Sequence, residues 1–138
     1  MFSSVWNDTN STFIANRKFG GGAACYLMSG AHAYFYSTRF IYNYASVMGG
    51  AIGLTQNCFA FLQRVLVLGC SSNMGGVFVA TEKTSIFVEY SNFTENYANS
   101  GGILHGLENY QASISIVSST FDSNGGGDNI IILIVSNF

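Results

Sequence analysis

A six-residue pattern, [Ser/Thr]-x-Phe-x-x-Asn, recurs along the chain and limits its fold more than any other feature. Its four complete copies begin at Ser11, Thr38, Ser91 and Ser119. A degenerate copy, Leu68-Gly69-Cys70-Ser71-Ser72-Asn73, fills the gap in the middle, with Cys70 in the place of the phenylalanine. The five asparagines recur at a mean spacing of about 27 residues. A repeat of this length predicts a solenoid in which each repeat forms one coil.

A second motif runs in phase with the first. Each copy is followed by two glycines, which are Gly21-Gly22, Gly49-Gly50, Gly75-Gly76, Gly101-Gly102 and Gly125-Gly126. Small or apolar residues come next in the first four copies, whereas the fifth continues with Gly127-Asp128. Paired glycines predict one sharp corner per coil, where a side chain would not fit.

The segments between the motifs alternate with period two, as in 85–90 and 112–117, and lack the spacing of an amphipathic helix. Two columns are found by counting back five and seven residues from each phenylalanine position. They hold Phe35, Val65, Val88 and Ile116, and Ala33, Gln63, Ile86 and Ile114. Such columns predict strands that turn the same side chains inward in every coil.

The sequence therefore predicts an all-β protein, a right-handed parallel β-helix of about five coils, with residues 1–138 as one domain. Strands of successive coils would pair about 4.8 Å apart, so that equivalent residues stack. The predicted inner ladder is Phe13, Phe40, Cys70, Phe93 and Phe121. The predicted turn ladder is Asn16, Asn43, Asn73, Asn96 and Asn124, because asparagine tolerates left-handed backbone and its amide can bond to the next one. A β-sandwich would need two-residue hairpin turns, and Asn124-Gly125, the one Asn-Gly, lies inside the repeat.

Charge and cysteine content exclude several classes of protein. Only 9% of the residues are charged and the net charge is −2, with no basic cluster for nucleic acid. The longest apolar run, Ile130 to Val135, is too short to span a membrane, and the N-terminus lacks the pattern of a signal peptide. The three cysteines, Cys25, Cys58 and Cys70, have neither CxxC nor zinc-ligand spacing, and we expect buried free thiols.

No catalytic, cofactor-binding or metal-binding set emerges from the sequence. The carboxylates are dispersed, and only Glu95 and Asp122 are expected to approach each other. His105 and Cys25 share an offset but lie three coils apart, too far for a catalytic pair. Candidate N-glycosylation sites are Asn7, Asn10 and Asn92. Exposed tyrosines suit stacking on sugars, and a carbohydrate-binding face is a further hypothesis. Its candidate residues are Tyr36, Tyr42, Tyr44, Tyr90, Tyr97 and Tyr110.

The paired motifs resemble the signature repeats of chlamydial polymorphic outer membrane proteins, in which Phe-x-x-Asn is combined with Gly-Gly-Ala followed by Ile, Leu or Val. The second copy carries both in full, as Phe40-Ile41-Tyr42-Asn43 and Gly49-Gly50-Ala51-Ile52. The resemblance covers nearly the whole chain. It implies a β-helical passenger at the cell surface or outside the cell, with adhesive or structural roles and no catalytic residues.

The last residues, Ser136-Asn137-Phe138, restart the motif, so we expect a fragment or stacking unit of a longer rod that associates through its ends. The predicted function is that of a structural or adhesive extracellular repeat protein rather than an enzyme, assembling into a filament, with surface glycans or cell-surface proteins as partners. The alternative is a carbohydrate-active β-helix enzyme of the polysaccharide lyase or hydrolase kind, or a carbohydrate-binding remnant of one.

Overall fold

The chain is a β-solenoid with a period of about 27 residues and about 4 turns. Its structure is a computed structural model that describes residues 4–106, 112–126 and 131–132. These residues form twenty strands and no helix. The strands lie in four sheets, each of five parallel strands, so every coil contributes one strand to each sheet. The predicted parallel β-helix is therefore confirmed.

The coils are built alike. Sheet A holds the longest strands, β1 (Val5–Thr9), β5 (His32–Tyr36), β9 (Phe59–Gln63), β13 (Ser85–Glu89) and β17 (Ser113–Val117). Sheet B holds β2 (Thr12–Ile14), β6 (Arg39–Ile41), β10 (Leu66–Leu68), β14 (Asn92–Thr94) and β18 (Thr120–Asp122). Sheet C holds β3 (Arg17–Lys18), β7 (Tyr44–Ala45), β11 (Ser71–Met74), β15 (Tyr97–Ser100) and β19 (Gly125–Gly126). Sheet D holds β4 (Cys25–Leu27), β8 (Ile52–Leu54), β12 (Phe78–Ala80), β16 (Leu104–Gly106) and β20 (Ile131–Ile132).

The core lies inside the coils and consists of stacked apolar columns. In sheet A the two inward columns contain Ala33, Ala60, Ile86 and Ile114, and Phe35, Leu62, Val88 and Ile116. The expectation that Gln63 and Val65 occupy these columns was wrong, because Leu62 and Ala60 pair in register with their neighbours. Gln63 lies on the outer face, where its amide donates a hydrogen bond to Glu89.

The phenylalanine ladder runs through sheet B. The ring of Phe13 stacks on that of Phe40 at 5.1 Å between centroids, and Phe93 stacks on Phe121 at 4.9 Å. The prediction that Cys70 belongs to this ladder was wrong. Val67 pairs with both Phe40 and Phe93 and takes the central position.

The asparagine ladder follows directly after sheet B. Asn43 and Asn96 are completely buried, and each donates its amide N–H to the carbonyl of the preceding coil's sheet B residue, Phe13 or Val67. The predicted place of Asn73 in this ladder was also wrong. Cys70 stands there instead, with its N–H donated to Oδ1 of Asn96 at 2.9 Å.

Both errors have one cause. The degenerate copy Leu68–Asn73 is three residues out of register with the coil that it was taken to represent, because the true positions are Val67 and Cys70. A valine replaces the phenylalanine and a cysteine replaces the asparagine. The third coil is therefore recognisable only from its pairing partners and not from the motif.

Hydrogen bonds between side-chain amides hold the turn ladder together, and its asparagines do not adopt the left-handed backbone conformation. The residues with positive φ at this corner precede the asparagines, as at Ala15 (φ 52) and Tyr42 (φ 51). The side-chain amide of Asn16 donates to Oδ1 of Asn43 at 2.8 Å, and that of Asn96 donates to Asn124 at 2.9 Å. The expected bond from one amide to the next is present in these two pairs.

Glycines form the corner between sheets C and D. Four of them share φ near +63, at Gly22, Gly49, Gly75 and Gly101. In the first coil the corner pair is therefore Gly22-Ala23 rather than Gly21-Gly22. In the fifth copy, Gly125 and Gly126 pair with Tyr97 and Ala98 inside sheet C and do not form this corner.

No helix among the described residues is long and apolar enough to cross a membrane. The restarted motif at 136–138, from which a longer rod was predicted, lies outside the residues that the structure describes.

Candidate functional site

The outer face of sheet C carries the side chains best suited to binding. Tyr44, Ser71 and Tyr97 are aligned in successive coils and point outward. Because side chains of a strand alternate, the residues two positions later share this face, and they are Ser46, Asn73 and Asn99. We call the surface formed by these six residues the sheet C groove.

A small residue between two tyrosines opens the groove. Tyr44 and Tyr97 are half exposed, at 44% and 51%, and the coil between them supplies only Ser71. A groove of about 340 Å³ results, bounded by both rings and by the polar side chains beside them. Two strand spacings separate the tyrosine backbones by about 9.6 Å. The groove is therefore open to a ligand that enters from the side.

The polar wall of the groove is an amide pair. The Asn99 side chain donates to Oδ1 of Asn73 at 2.8 Å, and its own Oδ1 accepts the hydroxyl of Tyr97 at 3.3 Å. The Nδ2 group of Asn73 has no hydrogen bond within the described part of the chain. It is exposed and offers two N–H donors to a ligand.

The floor of the groove is held by the buried ladders. Ala45 and Ala98 are completely buried beneath it, and the hydroxyl of Ser72 bonds to the carbonyls of Met74 and Gly75 at 2.7 and 2.8 Å. Tyr44 and Tyr97 each follow a buried asparagine of the turn ladder. The backbone that carries the two rings is therefore fixed on its inner side.

A cationic extension continues the groove toward the first coil. A second depression of about 230 Å³ is lined by Arg17, Lys18 and Phe19 together with Tyr44 and Ser46, which both depressions share. Arg17 pairs with Tyr44 in the ladder and is exposed. Lys18 follows Arg17 in β3, and its ammonium lies 5.1 Å from the centre of the Tyr26 ring of sheet D, in a cation–π contact.

The outer face of sheet A is also aromatic, but its rings cover one another. Phe61 stacks on Phe87 at 6.0 Å and packs against Tyr36 at 5.8 Å, and Tyr34 packs against Phe59 at 5.7 Å. Phe87 is the one of these five that is classed as exposed. These contacts stabilise the sheet.

No described carboxylate lines the groove. Glu95 and Asp122 occupy neighbouring coils at the corner between sheets B and C, as expected, with the N–H of Glu95 bonded to the carbonyl of Asp122 at 3.1 Å. Both are exposed. The described residues contain no group of three or more His, Cys, Asp or Glu side chains that could hold a metal ion. Glu108 and Asp128 lie outside the described residues.

The cysteines are buried free thiols, as predicted. Burial raises the pKa of Cys25 to about 12, with a smaller contribution from Asp8. Burial also raises the pKa of Cys70 to about 11, against the hydrogen bonds from Asn43. Cys25 and His105 lie on β4 and β16, separated by two strands of sheet D, and form no dyad. The ring Nδ1 of His105 lies 3.3 Å from the Ser100 hydroxyl.

The candidate glycosylation sites Asn7, Asn10 and Asn92 are all exposed. Of the tyrosines considered for a carbohydrate-binding face, Tyr42, Tyr44, Tyr90 and Tyr97 are exposed, Tyr36 is half-buried, and Tyr110 lies outside the described residues. Sequence reasoning missed the roles of Ser71, Asn73 and Asn99. Correct alignment of the third coil would have placed Ser71 between two tyrosines and Asn73 beside Asn99.

Comparison with known proteins gives one partial relative. The chain is 38% identical over 94 residues to metabotropic glutamate receptor-like protein Q of Dictyostelium discoideum, a match covering 64% of the chain. The chain spans only 8% of the length of that protein. No family model matches the chain. No solved structure matches it significantly.

Proposed function

We propose that this chain is a structural and adhesive β-helix repeat of an extracellular or cell-surface protein, and that the sheet C groove is its adhesive face. The observation that carries the proposal is the gap at Ser71 between two exposed tyrosines, walled by an amide pair. Aromatic rings with adjacent amides and hydroxyls suit sugars, whose C–H faces stack on rings while their hydroxyls bond at the edges. Surface glycans are therefore the proposed partners.

Other features support this placement. The three asparagine acceptors are exposed, which is compatible with glycosylation outside the cell. The relative in D. discoideum is described as a metabotropic glutamate receptor-like protein, and this description supports a binding role for the present chain. Parallel strands also leave unpaired backbone groups at the two ends of a solenoid, so that copies or further repeats can stack there into a filament.

The alternative of a carbohydrate-active enzyme has less support. Acid–base cleavage of a glycan needs paired carboxyl groups facing the bound sugar. Within the described part of the chain, the strands of sheet C carry no Asp or Glu. A reducing-end assay on pectin-like polymers tests this alternative, and turnover that survives purification would replace our proposal.

The adhesive role is tested with an array of neutral and charged glycans. We expect the protein to retain a subset of them, and Tyr97→Ala to weaken binding about tenfold, equivalent to about 1.4 kcal/mol. Tyr90→Ala is the matched control, because Tyr90 is equally exposed, at 55%, on a different corner. Equal loss in both variants, or no retention of any glycan, would refute the proposed face.

A further inference from the structure

We propose that the sheet C groove and its cationic extension bind an acidic polysaccharide, one whose uronate carboxylates are held by Arg17 and Lys18. This deepens the proposed function and rests on it, because it assigns a ligand class to the same face. Five observations carry the proposal, and they concern charge, continuity, ring spacing, donors and register.

The first observation is the charge of the face. The chain has only 5 basic side chains, and Arg17 and Lys18 both lie beside the groove. No Asp or Glu belongs to the described strands of sheet C. In a protein whose net charge is −2, the first-coil end of this face, at Arg17 and Lys18, is therefore positive. An anionic ligand would therefore be attracted here more than to any carboxylate-bearing corner.

The second observation is continuity. Tyr44 and Ser46 line both depressions, so a chain-like ligand that binds the cations continues over Tyr44 to reach Ser71. The path from Arg17 to Tyr97 crosses three strand spacings, about 14 Å. That length suits an oligomer of several sugar units rather than a single small anion.

The third observation is the ring spacing. The backbones of Tyr44 and Tyr97 lie two strand spacings apart, about 9.6 Å, and only the Ser71 side chain stands between them in the ladder. A sugar unit that lies over Ser71 can therefore contact both exposed tyrosines.

The fourth observation is the set of hydrogen-bond donors. Arg17 offers a planar guanidinium fork that matches a carboxylate with two parallel bonds. The Nδ2 group of Asn73 supplies donors beside the sugar gap. Two cations suit one or two carboxylates on adjacent units, whereas a densely sulfated chain would need a larger basic cluster. These counts favour uronate over sulfate.

The fifth observation is register. Successive coils repeat every 4.7–4.9 Å or so along the solenoid, close to the length of one sugar unit in an extended glycan. A bound chain lying parallel to the solenoid axis would therefore place equivalent groups over equivalent coils. The sugar unit whose carboxylate lies near Arg17 and the sugar unit over Ser71 would then belong to one glycan chain, two units apart.

The test measures binding of polygalacturonate fragments and of the same polymer with its carboxylates methyl-esterified. We expect the acidic form to bind at least tenfold more tightly, and the difference to shrink as salt is raised. Arg17→Gln should remove most of that difference and leave binding of the esterified polymer intact. Ser71→Tyr should abolish binding of both, since the new ring fills the gap.

One control variant, together with circular dichroism spectra that show whether each variant is folded, supports the interpretation. Arg39→Gln removes an exposed cation from sheet B, where its Nε bonds to Thr12, and should leave binding unchanged. Equal binding of acidic and esterified polymers would overturn the charge assignment while the glycan-binding face stands. Preference for a sulfated glycan over polygalacturonate would overturn the uronate assignment. Binding that is the same in Ser71→Tyr as in the parent would overturn the proposed face itself.

Discussion

Cys70 occupies the position in the third coil that asparagine occupies in the other four. Its sulfur accepts hydrogen bonds from the backbone and side chain of Asn43, the latter at 3.7 Å. It also lies 3.6 Å from the carbonyl of Phe40, to which the thiol donates. The thiol thus takes the place of the asparagine amide in the ladder. Its hydrogen bonds are weaker than those of an amide, because sulfur is a poor donor and acceptor.

Replacing this thiol by the ladder's own residue should stabilise the protein. We expect Cys70→Asn to raise the free energy of unfolding by about 1 kcal/mol, because an amide would bond fully to its neighbours in both directions. Urea denaturation measures the change. Cys58→Asn is the control: Cys58 is buried outside the ladder, so an amide there should destabilise by 1–3 kcal/mol or so. A lower stability for Cys70→Asn would contradict the ladder assignment.

The buried thiols also predict a dependence on pH. Cys25 has a pKa of about 12 in the folded chain against 9.0 for a free thiol. Below pH 9 both states keep the proton and the thiol has no effect. Above pH 9 the unfolded chain loses its proton while the folded chain retains it, so stability falls as the pH rises toward 12.

The size of this effect follows from the shift. Each unit of pKa corresponds to about 1.4 kcal/mol, so stability should fall by up to that amount per pH unit between pH 9 and 11 on account of Cys25. Denaturation at several pH values, compared between the parent and Cys25→Ala, isolates the contribution of this thiol. Parallel pH profiles for the two proteins would refute the prediction.

Among the elements, the corner between sheets C and D tolerates least change. A side chain at Gly76 would place Cβ 2.2 Å from the carbonyl oxygen of Gly102, and Gly50 meets Gly76 in the same way. Backbone atoms of adjacent coils cannot move apart without breaking the ladder hydrogen bonds, such as that from Gly76 N–H to Gly101. Gly50 and Gly76 are therefore required by close approach of the coils.

A pair of alanine substitutions tests this corner. Gly76→Ala should lower the free energy of unfolding by about 2 kcal/mol or more, because coils must separate locally. Gly125→Ala is the control, since its Cβ would meet only the Tyr97 ring at an ordinary 3.7 Å, and we expect a change within about 0.5 kcal/mol. The two values come from the same denaturation experiment. Similar costs at both positions would show that close approach is not the reason for glycine.

At the scale of the whole molecule, stability comes from contacts between adjacent coils. A solenoid of this kind is held by coil-to-coil interfaces, because each coil touches only its neighbours. The phenylalanine ladder shows the consequence. Phe40 is completely buried between coils, whereas Phe13 in the first coil is only partly buried. The contribution of a ladder phenylalanine to the free energy of unfolding therefore depends on the coil in which it lies.

We predict that substitutions along the phenylalanine ladder destabilise the protein to different extents. Phe40→Ala should lower the free energy of unfolding of this chain by 3–5 kcal/mol or so, and Phe13→Ala by about half as much. Thermal or urea unfolding of the two variants measures the ratio. Equal costs would indicate that the chain unfolds as one globular core rather than as a stack of coils.

The whole rod also determines how the proposed binding face works. Its aligned columns bring residues 26 or 27 positions apart in the sequence to one strand spacing, as with Ser71 and Tyr97 or Asn73 and Asn99. A ligand would therefore contact side chains of at least three coils.

The sequence by itself determined that the chain is a parallel β-helix with a period near 27 residues. Two motifs in phase and the period-two alternation between them predict that equivalent residues of successive coils stack. The sequence also determined that Phe13 lies over Phe40 and that Asn16 donates to Asn43, because these copies are regular.

The tertiary structure alone decided the register of the third coil and the groove that depends on it. Local sequence at Leu68–Asn73 imitates the motif, but backbone pairing with the coils on both sides places Val67 and Cys70 in the ladders. Register in a solenoid is set by hydrogen bonds and packing to neighbouring coils, which are distant in sequence. For the same reason, only the folded chain shows that Ser71 separates two tyrosines.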